Sequence, residues 1–197
     1  MNIGIMGGTF NPIHNGHIVI AKSVADQLAL DSVFFTPAGN PNFKRDQELA
    51  AAGDRVAMVE RVIADEPLFQ LDLREVERDG VTYTADTLEE LAVEYPAAHF
   101  FFIMGTDSAI TLPKWHRAGD VARLATIVVA QRPGESANEA RFAIDTSPHD
   151  FDVIYLDVPQ VDVSSTQVRD AIAAGADISE MVPPQVGKYI EEHGLYR

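Results

Sequence analysis

Apolar runs with the two-residue period of strands alternate with segments of helical period along the whole chain, and this alternation constrains the fold more than any other feature. "NIGIMG" is a short apolar strand. Gly16 to Leu30 follows with Ile20, Val24 and Leu28 four apart, the spacing of one helix face. "SVFFTP" is a second strand, Ala50 to Ala64 a helix carried by Val56, Val59 and Ile63, and "LFQLDLREV" a third strand. Thr84 to Tyr95 reads as a helix stopped by Pro96, and "HFFFIMG" as a strand apolar on both faces. Ser108 to Leu124 is rich in helix signals, and "ATIVVAQ" and "FDVIYLDV" are two further strands. "SSTQVRDAIAAG" opens on a Ser/Thr cap and closes at Gly175, and Pro183 to Arg197 reads as a last helix.

Strands separated by helices pair in parallel, because only a crossover returns the chain to the same edge. The expected fold class is therefore α/β: a Rossmann-like, doubly wound, mainly parallel sheet with helices on both faces. No repeat, linker or low-complexity tract divides it. The expectation is a single domain over residues 1–197, with its core about 1–170 and a C-terminal helical segment about 171–197. A chain of 197 residues can bury such a core without a staple.

The chain contains no cysteine, which excludes disulfides and thiolate metal sites and fits a reducing compartment. No basic leader precedes the first strand, and no apolar run is long enough to span a bilayer. The expectation is a cytoplasmic protein without a membrane partner. With 15 basic against 30 acidic residues the formal net charge is −15, which disfavours nucleic acid as a partner. Any phosphate site must then be local, built from a few cations, main-chain N–H groups and helix N-termini. The sequence leaves homo-oligomerisation open.

Ligands of doubly wound sheets bind beyond the carboxyl ends of the strands, where the strand order reverses. The unusual polar residues stand at those ends: Gly7 to His17, Pro37 to Lys44, Gly105 to Asp107, and Ser164 to Arg169. In the first of these, Gly7 and Gly8 let main chain approach a ligand, Asn11-Pro12 signals a turn, and Asn15 is the expected N-cap of the next helix. His14 and His17 then lie at one helix N-terminus, able to donate to phosphate oxygens. Zinc ligation by the two histidines lacks a third ligand nearby, and the glycine spacing matches neither the dinucleotide nor the P-loop fingerprint.

"GGTFNPIHNGH", with His14-Asn15-Gly16-His17, and "VSSTQVR", Val163 to Arg169, together resemble the two signatures of the H-x-G-H nucleotidyltransferase superfamily. Within it the chain resembles the bacterial nicotinate-nucleotide adenylyltransferase family along nearly its full length, through "TPAGNPNFK", "TYTADTL", "FIMGTDSAITLPKWHR" and "QRPG". The resemblance implies adenylyl transfer from ATP to nicotinate mononucleotide, giving deamido-NAD and pyrophosphate. It implies catalytic roles for His17, His14, Lys44 and Arg169, and ATP contacts from Gly8, Thr9, Phe10, His14, His17, Gly105, Asp107, Ser165, Thr166 and Arg169. It places Lys44, Thr84, Trp115 and Arg132 at the nicotinate nucleotide, and Mg²⁺ on ATP phosphates and water rather than in a protein cage. Read as residues alone, Asp107 serves equally as a helix cap, Trp115 as core, and Arg132 as a solvated cation. Two positions depart from the family pattern. Asn11 stands where relatives carry Asp, and Pro41-Asn42-Phe43-Lys44 lacks the usual histidine. An acceptor other than nicotinate mononucleotide (nicotinamide mononucleotide or phosphopantetheine) and a non-catalytic nucleotide sensor are the alternatives.

Overall fold

The computed structural model describes residues 1–39, 49–131 and 136–197. Strand β1 (Asn2–Gly8) leads through helix α1 (Asn15–Leu28) to β2 (Ser32–Pro37), and α2 (Ala52–Ile63) leads to β3 (Phe69–Leu71). Helices α3 (Arg74–Glu77) and α4 (Thr84–Glu94) precede β4 (His99–Gly105). Then follow α5 (Thr106–Thr111), a 3₁₀ turn (Leu112–Lys114), α6 (Ala118–Leu124), β5 (Thr126–Gln131), α7 (Asn138–Asp145), β6 (Val153–Asp157), α8 (Ser165–Ala173) and α9 (Pro184–His193).

The described strands form one parallel sheet in the order β3-β2-β1-β4-β5-β6. Side chains alternate across it, as strand geometry demands. Val33, Phe35, Ile103 and Val128 face α1, α2, α8 and α9, packing on Val24, Met58, Val168 and Ile190. Ile3, Ile5, Phe102, Ile127 and Val129 face the opposite layer, on Leu88 and Leu91 of α4, Val121 of α6 and Ile144 of α7. This is the Rossmann-like, doubly wound arrangement expected from the sequence, with a helix layer on each face. Its order reverses between β1 and β4, so the crevice opens beside Gly8 and Gly105, where these two strands end.

Four elements differ from the sequence expectation. The segment 68–76 is a strand only over Phe69–Leu71, because Asp72 accepts from the Thr36 hydroxyl, the Arg74 amide and the Arg74 side chain, turning the chain into α3. The helical stretch 108–124 is divided: Pro113 has no N–H to continue a helix, and Arg117 takes a left-handed conformation with φ 55°. Helix α7 has no counterpart in the sequence reading, since only Ala140 and Ile144 of it are buried. The last helix ends at His193, with Gly194 left-handed at its cap (φ 62°).

Candidate active site

Helix α1 begins at Asn15, so the N-cap is His14 rather than the expected Asn15. The reason is visible in the contacts. Asn15 is drawn away by its main-chain N–H to the Met181 carbonyl (3.0 Å) and its side-chain amide to the Glu180 carbonyl (3.0 Å). His14, extended at φ −143°, is left at the helix entrance, and the His14 amide donates to Nδ1 of His17 at 3.2 Å. The two imidazoles stack, with ring centroids 3.7 Å apart, and a Cβ on Gly16 would stand 3.1 Å from the His14 ring. A side chain at Gly16 would crowd the His14 ring. Because Nδ1 of His17 accepts a main-chain bond, its neutral ring carries the proton on Nε2.

Phe10 supports the pair from below. It takes φ 48°, rare for a bulky residue, and its ring, 2% exposed, meets His17 edge-on at 5.1 Å and Phe35 at 5.8 Å. Gly8 and Thr9 lie half-buried just above it, at the end of β1. The Asn11–Pro12 peptide is cis.

The second signature closes on the first from 150 residues away. Helix α8 starts at Ser165, capped by Ser164, whose hydroxyl accepts from the Gln167 amide at 3.2 Å. The Ser165 hydroxyl donates to the Pro12 carbonyl (2.9 Å), and Arg169 donates to the Asn11 carbonyl (2.8 Å) and the Thr166 hydroxyl (3.2 Å). Two helix N-termini, α1 and α8, therefore meet at one loop with an arginine between them. Their first-turn N–H groups and dipoles favour an anion there. Asn11 fits its buried place as a neutral acceptor, its side-chain oxygen taking the Ala50 amide (3.0 Å) and the Tyr196 hydroxyl (2.8 Å).

The remaining residues divide. Gly105 and Asp107 are exposed at the end of β4, where the sheet order reverses. Asp107 is in the first turn of α5, and the cap position belongs to Gly105. Trp115 is half-buried, its indole N–H on the Thr111 hydroxyl at 3.1 Å and its ring edge-on to Phe102 at 5.9 Å. Phe102 in turn lies 3.5 Å from where a Gly7 Cβ would stand, so it connects the tryptophan to the opening loop. Thr84 opens α4 in the neighbouring segment, which meets the tryptophan's segment through the Tyr83–His116 rings (4.1 Å) and ion pairs of Arg117 with Asp86 and Glu89. Lys44 and Arg132, with the rest of Pro41 to Lys44, lie outside the described residues. Sequence reasoning gave no part to Arg55, Tyr196, Tyr83 or His116. Among the described residues, the first two are joined to the loop through main-chain carbonyls and one amide side chain, which leave no motif.

Among the described residues no group of three or more His, Asp or Glu is placed to hold a metal ion, and no helix is long and apolar enough to cross a membrane. The donors at the loop are imidazoles, arginine, hydroxyls and N–H groups, a set made for anions.

A parallel sheet with this order and a two-helix anion cradle at its switch point define a nucleotidyltransferase-type site, and the family model described as "Cytidylyltransferase-like" matches residues 5–171. Curated relatives named "Probable nicotinate-nucleotide adenylyltransferase" match over the full length. One from Dehalococcoides mccartyi is 40% identical over 100% of this chain and 97% of its own, and one from Bacillus pumilus is 40% identical over 98% and 97%. The chain belongs to the nicotinate-nucleotide adenylyltransferase family. Solved structures share the fold: the Plasmodium falciparum nicotinic acid mononucleotide adenylyltransferase complexed with NaAD superposes with a TM-score of 0.79 at 19% identity, covering 99% of this chain and 97% of that one.

Proposed function

We propose that the chain transfers the adenylyl group of ATP to nicotinate mononucleotide, releasing pyrophosphate, with the cradle between His14, His17, Ser165, Thr166 and Arg169 holding the ATP phosphates. The observation that carries this reading is the pair of bonds from Ser165 and Arg169 to the carbonyls of Pro12 and Asn11, which makes one anion site of two distant motifs.

The chemistry suits these groups. The attacking 5′-phosphate has a second pKa near ~6 and is already mostly dianionic at neutral pH, so no enzymic base is needed. The protein's task is to align two polyanions and stabilise charge developing at the α-phosphate and the leaving pyrophosphate. In this reading Nε2–H of His17 donates to the α-phosphate, His14 and the first-turn amides of α8 hold the outer phosphates, and Arg169 neutralises them. Gly8, Thr9 and Phe10 bring main chain against the same oxygens. Lys44 and Arg132 add charge, Gly105 and Asp107 bind the adenosine ribose, and Trp115 and Thr84 take the pyridine ring. Magnesium would be held by ATP phosphate oxygens and water and would supply charge neutralisation. A cytoplasmic setting belongs to this reading.

The test is pyrophosphate release from ATP and Mg²⁺ with nicotinate mononucleotide, nicotinamide mononucleotide or phosphopantetheine as acceptor. Preferred release with the first is expected. Release confined to another acceptor transfers the assignment to it, and ATP binding without release under any acceptor contradicts catalysis.

A further inference from the structure

Several arginines of this acidic chain face carboxylates: Arg74 meets Asp72 and Glu94, Arg78 meets Glu90, and Arg117 meets Asp86, Glu89 and Asp120. Arg55, on α2, does not. It is 2% exposed, and among the described residues its partners are four main-chain carbonyls. Nη1 donates to Thr9 and to Ala38 at 2.7 Å each, Nη2 to Gly39 at 3.1 Å, and Nε to Ala50 at 3.2 Å. Thr9 belongs to the loop after β1, Ala38 and Gly39 follow β2, and Ala50 precedes α2. One guanidinium therefore ties together three stretches of chain at the carboxyl edge of the sheet.

The geometry continues into the phosphate loop. The Ala50 amide donates to the Asn11 side chain, while Arg169 holds the Asn11 carbonyl. Arg55 at Thr9 and Arg169 at Asn11 thus grip the loop on either side of Phe10. The left-handed Phe10 is strained and persists only where its surroundings over-determine it. Four carbonyls could be capped by neutral donors at a lower desolvation cost than a buried cation incurs. Burial does pull the Arg55 guanidinium below its usual pKa, yet arginine stays charged in proteins. A charge kept from water is poorly screened and acts on whatever anion the loop above it holds.

We propose that Arg55 is a positioning residue for the phosphate loop: its planar fork sets Thr9 and Phe10 in the geometry nucleotide phosphates require, and its charge, bonded to no carboxylate among the described residues, favours those same phosphates. The proposal rests on reading the cradle as the ATP site.

Arg55→Lys keeps the charge and loses the fork, whereas Arg55→Gln loses both. Binding of ATP, pyrophosphate and adenosine is measured by calorimetry on variants whose fold is checked by circular dichroism. Expected is ATP and pyrophosphate affinity reduced about 10-fold in Arg55→Lys and more in Arg55→Gln, as loss of charge-assisted bonds implies, with adenosine affinity unchanged. Equal loss for ATP and adenosine, the mark of a merely structural residue, overturns the proposal, and so does unchanged ATP affinity. If neither variant folds, the wild-type protein decides. The arginine Nε–H resonance bonded to Ala50, in ¹⁵N-labelled protein, is expected to shift on adding pyrophosphate and not adenosine, and no shift overturns the idea. His17→Ala separates the two levels: full turnover in that variant sinks the site reading, while its loss beside normal Arg55 variants sinks only this inference.

Discussion

At the residue scale, His17 is a donor whose direction is set by its own backbone. The His14 amide occupies Nδ1, and stacking against His14 and the edge of Phe10 fixes the ring plane. A donor held this way needs no reorganisation as charge builds on a phosphoryl group. His17→Ala is expected to lower kcat on the order of 10²–10³-fold with the melting temperature little changed, and near-normal turnover would remove the ring from the chemistry. A second residue concerns stability. Burial raises the Glu75 carboxyl above the usual range, although the Thr87 hydroxyl donates to it at 2.8 Å. A raised carboxyl stabilises the fold below its unfolded pKa of about 4.3, and that contribution is lost as pH rises through the folded value. Glu75→Gln should therefore gain stability relative to wild type as melting is followed from about pH 4 to pH 7. A constant difference across that range would contradict the burial argument.

At the element scale, the site is a meeting of helix ends. The start of α1 is fixed by the histidine cap and by Asn15 reaching to Glu180 and Met181, and the start of α8 by Ser164. Removing that cap with Ser164→Ala should cost about 1 kcal/mol and weaken ATP binding several-fold, because the amides it orders are the ones offered to phosphate. A variant with lower stability and unaltered ATP affinity would take α8 out of the cradle. The helices and strands of the two layers were readable in the sequence where apolar periodicity was strong, as in Ile20, Val24 and Leu28 or the run through Phe102. It failed where a polar side chain overrode the pattern, as Asp72 does at the end of β3, and where a helix buries too little to show a stripe, as in α7. Of the site, the two histidines, Ser165, Thr166 and Arg169 were readable because strand ends carry function in this architecture. Arg55 was not, since nothing in "GDRVAMVE" distinguishes a guanidinium turned under the sheet edge from one in solvent.

At the scale of the whole molecule, the fold reconciles a net charge of −15 with the proposed site for polyanions. Ion pairs on and near the surface engage Arg74, Arg78, Arg117 and Arg123. Arg55 and Arg169 each bind a main-chain carbonyl of the loop after β1, at Thr9 and Asn11, and peptide dipoles add to the potential there. The C-terminal segment takes part: Tyr189 donates to Asp54 (2.8 Å) beside Arg55 on α2, and Tyr196 to Asn11 within the loop itself (2.8 Å). The ends of the chain are thereby held in one frame, with the nucleotide cradle at its centre. A crystal structure with a non-hydrolysable ATP analogue and nicotinate mononucleotide tests this most directly. The account predicts the α-phosphate within hydrogen-bond distance of Nε2 of His17 and the outer phosphates on the first turn of α8 beside Arg169. A triphosphate lying away from both would contradict it.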